Sequence, residues 1–291
     1  MQRIGIITKR NNRKALEVGI KLCDWLKERG LEPLCESELA TAVGLPEFAK
    51  EGIAEQAELI VVLGGDGTLL SIARHIQRSN LPVLGVNLGG LGFLTAITLD
   101  ELFTVMAEVL QDKYTLNPRM VLKVELKRGE EIVLSHNVLN DAVINKGVMA
   151  RIIDLETVIN HHLVNTFKAD GLIFSTPTGS TGYSLSAGGP IIYPTLDCIT
   201  VSPICPHTLS NRPIIFPPDV TIETTLTSTD SDDVYLTLDG QVGCAIEPLD
   251  TIIISRARHE LMFVTAPGKT YFEVLRSKLK WGERYSNHAL S

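Results

Sequence analysis

The stretch LIVVLGGDGTLLSIARHI, residues 59–76, sets one carboxylate, Asp66, among Gly64, Gly65 and Gly67. The run before the glycines is apolar and the run after them is amphipathic. A strand, a glycine loop and a helix in that order put the loop at the carboxyl end of a parallel sheet, where ligands of open α/β sheets collect. Glycines let backbone N–H groups approach a phosphate closely, and the following helix offers the positive end of its dipole. The loop lacks the closing G-K-[ST] of a Walker A loop and does not fit G-x-G-x-x-G. An acid is a poor phosphate ligand, because like charges repel. It suits a base that takes the proton of an attacking hydroxyl, or a group that helps hold Mg²⁺. Alone, these residues also fit a plain turn between strand and helix.

Three further stretches carry chemistry. NLGGLGFLT, residues 87–95, follows the next apolar run and reads as a second wall of the same crevice, or as a loop anchored by Phe93. Residues 167–194, FKADGLIFSTPTGSTGYSLSAGGPIIYP, are dense in Ser, Thr, Gly and Pro. No regular element tolerates that composition throughout. Its hydroxyls suit a polar ligand, and Tyr183 adds a stacking face. GSTGYS is not the G-x-S-x-G of serine hydrolases, and no pattern links His161, His162 or His207 to Ser180. Asn140-Asp141 sets an amide beside an acid at the end of an apolar run, a pattern that also fits a turn. Asp239-Gly240-Gln241 reads as a hairpin signal. His161-His162 lacks helical metal-ligand spacing.

The elements that must position these loops change character along the chain. IGIIT, LEPLCE, LIVVL and PVLGV read as strands, separated by helical spacing at Ala15, Leu16, Gly19, Leu22, Trp25 and Leu26 and at Leu69, Ile72, Ala73 and Ile76. Gly30 is placed to end the first helix, and Asp100 to cap one carrying Leu102, Phe103, Met106, Val109 and Leu110. This alternation predicts an α/β domain with an open parallel sheet over residues 1–116. From Asn117-Pro118 the spacing changes to period two. Short runs such as DLETVIN, LIFST, ITVSP, PIIFP, VTIETTLTS, VYLTL, TIIIS and LMFVT predict a sandwich-like, all-β domain over residues 117–266. A helix at 271–281, with Phe272, Leu275 and Leu279 on one side, is expected to bring residues 267–291 back onto the first domain.

Composition limits the function. The 291 residues are 44% hydrophobic and 21% charged, as in soluble globular proteins, and the net charge of −7 gives no basic footprint for nucleic acid. The odd count of five cysteines, with no C-x-x-C, speaks against a disulfide framework and a cysteine zinc site. No apolar run approaches the ~18 residues needed to span a bilayer. The start lacks the apolar core of a signal peptide, so a cytoplasmic location is expected.

In this order, GGDGTLL, NLGGLGFLT, NDAVINKG, FKADGLIFSTPTGSTGYSLSAGGP, CPHTLSNRP and LDGQ resemble the NAD kinases. These enzymes transfer the γ-phosphate of ATP to the 2′-hydroxyl of the adenosine ribose of NAD. GGDG is shared with lipid kinases and phosphofructokinases; the long Ser/Thr/Gly block is far more specific. The resemblance covers essentially the whole chain. It implies that Asp66 is the catalytic acid that accepts the 2′-hydroxyl proton, with Gly67 and Phe93 beside the same substrate. Asn140 and Asp141 match a pair that holds the second ribose or adenine. Arg151, Lys168 and Asp170 align with dinucleotide contacts. Thr181, Gly182, Tyr183, Ser184, Leu185 and Ser186 match the segment that wraps NAD, and Gln241 matches a glutamine of the β domain. The resemblance further implies Mg²⁺ as the ATP complex, no metal ligands on the chain itself, and a homodimer or homotetramer. It implies neither nucleic acid nor membrane as a partner.

Three positions depart from the family pattern: Asp141 stands where Glu is usual, Gly182 where Ala is, and Lys168 where Arg is common. They bear on fine contacts and on the preference between NAD and NADH. The alternatives are a lipid or sugar kinase on the same GGDG loop, and a non-catalytic NAD(P) sensor.

Overall fold

The computed structural model describes residues 1–90, 92–147, 151–228, 233–265 and 270–281. It divides into two compact units. The first comprises Met1–Ile76, Asn80–Asn117 and the described residues from Met262 on; the second comprises Gln77–Ser79 and Pro118–Leu261.

In the first unit the chain runs β1 (Arg3–Thr8), α1 (Arg13–Lys27), β2 (Glu32–Cys35), α2 (Ser37–Val43), α3 (Lys50–Gln56), β3 (Leu59–Gly64), α4 (Asp66–Ala73), β4 (Pro82–Asn87), β5 (Ile97–Thr98) and α5 (Leu102–Val109). The strands pair in parallel in the order β2-β1-β3-β4, and β5 joins β4. Every residue of β3 and of β4 is buried, which is why both read as unbroken apolar runs. Asn12 caps α1 by accepting the amide of Ala15 at 2.9 Å, and the helix buries Ala15, Gly19, Leu22, Cys23 and Leu26. Gly19 is needed for close packing, since a Cβ there would lie 3.0 Å from Leu39. The Cys23 and Cys35 sulfurs stand 3.6 Å apart in this core as free thiols.

The second unit holds β6 from Pro118 (Thr115–Arg128 in full), β7 (Glu131–Val138), β8 (Asp141–Lys146), β9 (Ile153–Ile159), β10 (His162–Ala169), β11 (Gly171–Ser175), a 3₁₀ turn (Thr178–Thr181), a helical turn α6 (Tyr183–Ser186), β12 (Ile199–Ile204), β13 (Ile214–Phe216), β14 (Ile222–Leu226), β15 (Val234–Leu238) and β16 (Val242–Ile246). The long β17 (Thr251–Thr265) starts here and ends in the first unit, where Met262 and Phe263 pair with Pro82 and Val83. One antiparallel sheet runs β13-β12-β11-β8-β15-β16. A second antiparallel set runs β10-β9-β14-β17, with β6 and β7 beyond β17. Leu122, Leu155 and Ile252 of one set share a core with Ile144, Phe174 and Leu236 of the other. A last helix, α7 (Tyr271–Leu279), carries a capping box of Thr270 and Glu273.

Several local expectations need correction. Asp100 is not a cap: Glu101 precedes α5, and its carboxylate accepts the amide of Thr98 at 2.8 Å. α2 and α3 have seven residues each, too few for a helical period to register. TIIIS and LMFVT belong to one strand, because the polar residues between them remain extended. On α7, Val274 and Leu275 are buried while Phe272 is 56% exposed, so the buried face is rotated from the expected one. Phe174→Ala in the second core should cost about 3–5 kcal/mol in urea denaturation at an unchanged denaturant slope.

Candidate functional site

Asp66 is the first residue of α4, not a loop residue, and its carboxylate accepts hydrogen bonds from the second glycine loop. Oδ1 accepts the amides of Leu94 and Thr95, both at 3.1 Å, and the Thr95 hydroxyl at 3.0 Å. Among the described residues, Oδ2 accepts only the amide of Phe93, at 2.9 Å. The second glycine loop therefore closes over the acid of the first. Pairing of β3 with β4, down to Gly64 opposite Asn87, makes this possible. Gly92 must lack a side chain, since a Cβ there would overlap the Asp66 carboxylate and the Thr95 hydroxyl. Gly64 is likewise demanded by Thr68. Gly65 and Gly67 are different: a Cβ on either would meet nothing within 4 Å, and neither has a left-handed φ. Internal packing does not require them, and the space beside them is open to a ligand.

In the second unit a cavity of about 270 Å³ is lined by Asn140, Asp141, Gly182, Tyr183, Asp239 and Gly240, with Val143, Asn145 and Thr237 at its floor and sides. The Asp239-Gly240 turn builds one wall, with both residues at positive φ, 49° and 64°. Asp239 accepts three consecutive amides: Leu139 at 2.9 Å on Oδ2, and Asn140 at 2.7 Å and Asp141 at 3.1 Å on Oδ1. Asp141 is 6% exposed. Burial first, and repulsion from Asp239 second, push its carboxyl up to about 7. Gly179 packs so tightly on the backbone of Asn140 that a Cβ would overlap it.

The Ser/Thr block is more architectural than its composition suggested. Thr176 gives its hydroxyl to the Leu139 carbonyl at 2.5 Å and accepts the amide of Gly179 at 3.0 Å. Ser180 donates to the Pro177 carbonyl at 2.6 Å, and Ser184 meets Ser202 at 3.1 Å, both fully buried. These bonds fold the segment onto Asn140 and leave Gly182 and Tyr183 facing the cavity.

Of the sequence candidates, Asn140, Asp141, Gly182 and Tyr183 share the cavity. Asp66, Gly67 and Phe93 lie together in the first unit. Lys168 pairs with Asp154 at 3.4 Å and Asp170 with Lys146 at 3.6 Å. Arg151, Ser186 and Gln241 are exposed, and Thr181 and Leu185 are half-buried. Sequence reasoning missed Asp239 as the anchor of the Asn140 turn, and Asn87 and Thr95 as partners around Asp66. An Asp-Gly signal one residue before a singled-out glutamine was the available hint for the first. Nothing local marks the other two, because their role depends on the β3–β4 register.

Residues 4–114 match the family model described as the ATP-NAD kinase N-terminal domain, and residues 139–266 the ATP-NAD kinase C-terminal domain. The NAD kinase of Geobacter metallireducens is 51% identical, covering 98% of this chain and 100% of that protein. That of Geotalea daltonii is 53% identical, with the same coverage. Among solved structures, yeast NADH kinase complexed with NADH superposes with a TM-score of 0.91 at 25% identity, covering 99% of this chain and 90% of that one. An NAD kinase from Archaeoglobus fulgidus in complex with ATP shares the fold, with a TM-score of 0.73 at 22% identity, covering 95% of this chain and 99% of that one. With both domain models matched in order and half the residues identical end to end, the chain belongs to the NAD kinase family.

Proposed function

We propose that the chain transfers the γ-phosphate of ATP to the 2′-hydroxyl of the adenosine ribose of NAD, giving NADP, with Asp66 as the base. Family membership supports the reaction. The asymmetry of the Asp66 carboxylate carries the assignment of the base: Oδ1 has three donors and Oδ2 has one. The proton of the attacking hydroxyl therefore goes to Oδ2. The ribose 2′-oxygen forms the new P–O bond, the bond to ADP breaks, and ADP leaves. Open space beside Gly65 and Gly67 gives the phosphates room at the N-terminus of α4, whose dipole favours their charge. Mg²⁺ enters with ATP as part of the substrate and screens the phosphate charge.

On the second unit, Asn140, Asp141, Gly182 and Tyr183 hold the dinucleotide in this reading. Tyr183 is 43% exposed and offers a ring face to a base. Asp141, whose carboxyl is pushed up to about 7 by burial and by Asp239, offers ribose hydroxyls an acceptor when charged and a donor when protonated. Arg151, Lys168, Asp170, Thr181, Ser184, Leu185, Ser186 and Gln241 complete the substrate set by family resemblance. The location is cytoplasmic; among the described residues no helix is long and apolar enough to cross a membrane. The assembly is a homodimer or homotetramer, a reading supported by the family resemblance.

Asp66→Asn should keep the fold by circular dichroism and the KM for NAD, and lose roughly a hundredfold or more in kcat. Wild-type turnover in that variant would remove Asp66 as the base. Asp141 makes a separate prediction about stability. Its folded value of about 7 lies above the ordinary aspartate value of 3.8, so between those limits only the folded state holds the proton. Stability contributed by that proton is complete below about pH 4 and is lost as the pH rises towards 7. In scanning calorimetry, Asp141→Asn should therefore gain Tm over the wild type above about pH 8 and gain none near pH 4.

A further inference from the structure

Asn87 and Thr95 form a one-way hydrogen-bond chain into Asp66. Thr95 is fully buried and Asn87 is 8% exposed. Asn87 Oδ1 accepts the amide of Gly89 at 2.7 Å, which fixes the orientation of the side-chain amide. Asn87 Nδ2 must then face the Thr95 hydroxyl, to which it donates at 2.8 Å. A hydroxyl has a single proton, and with Asn87 donating into its oxygen that proton is left for Asp66 Oδ1, 3.0 Å away. The Gly89 amide thus determines, through two side chains, which way the Thr95 proton points.

We infer that Asn87 and Thr95 are positioning residues for phosphoryl transfer: the fixed amide of Asn87 commits the Thr95 hydroxyl to Asp66 Oδ1 and so leaves Oδ2 as the oxygen that receives the proton. This rests on Asp66 being the base. The backbone amides of Leu94 and Thr95 also reach Oδ1. Among the described residues the Thr95 hydroxyl is the only side-chain donor to this carboxylate, and Asn87 of β4 holds it from the other side. Loss of a hydrogen bond to a charged group, with the reorientation that follows, affects the reacting geometry rather than dinucleotide binding.

The test compares kcat and KM for NAD and for ATP in the full chain carrying Thr95→Val, Thr95→Ser, Asn87→Asp or Asp66→Asn. Thr95→Val keeps the branched shape without the hydroxyl. It should lower kcat roughly ten- to a hundredfold and leave both KM values within about twofold. Thr95→Ser restores the hydroxyl without the methyl and should return kcat to within about threefold of the wild type. Asn87→Asp turns the donor into an acceptor, draws the Thr95 proton away from Asp66 and should reduce kcat in the same way; it serves where Thr95→Val does not fold. Wild-type kcat in folded Thr95→Val or Asn87→Asp, alongside an inactive Asp66→Asn, overturns the positioning role and leaves the base intact. Failure of Thr95→Ser to restore kcat also overturns it. An active Asp66→Asn overturns the base assignment, and the positioning role falls with it.

Discussion

Three consecutive backbone amides, from Phe93, Leu94 and Thr95, converge on the carboxylate of Asp66, and much of the first unit is arranged to let them. An amide buried without a partner costs about 1–3 kcal/mol, so seating this loop without the acid would be expensive. The acid gains as much as the loop, since its charge is met by four donors. The arrangement requires β3 and β4 side by side with Gly64 opposite Asn87, and no side chain at Gly92. It also requires none at Gly85, where a Cβ would crowd the Leu94 carbonyl at 2.7 Å. Strand register, two glycine loops and one helix start are thereby tied to a single side chain.

The second unit repeats the device with different residues. Asp239 takes the amides of Leu139, Asn140 and Asp141, again three in sequence. In each unit an aspartate spends itself on an irregular turn at the end of a strand and presents a neighbouring polar group. The outcomes differ. Asp66 keeps one lightly used oxygen, Oδ2. Asp239 is consumed by its amides, and burial first, with the charge of Asp239 second, raises the carboxyl of Asp141 beside the cavity.

The alternation of buried strands with helices, and the change to period two at Asn117-Pro118, were legible because burial on both faces and burial on one face leave different patterns. The glycine loops and the Ser/Thr block stood out because their composition suits no regular element. What each residue does there was not legible. The hydroxyls of Thr176, Ser180 and Ser184 looked ligand-facing, yet they bond to Leu139, Pro177 and Ser202 and hold the segment in place. The roles of Asn87 and Thr95 gave no signal, since the chain from Asn87 through Thr95 to Asp66 joins residues distant in sequence. Asp239 was hidden inside an ordinary hairpin signal. Sequence spacing reports local periodicity; it does not report which carboxylate meets which amide across a sheet.

The most direct measurement is phosphoryl transfer by the purified chain given NAD, ATP and Mg²⁺, with the products followed by ³¹P NMR. The account predicts a new phosphomonoester on the 2′-oxygen of the adenosine ribose, formed in step with ADP. Binding of NAD without any NADP formed, or transfer to diacylglycerol or fructose 6-phosphate in its place, would contradict it.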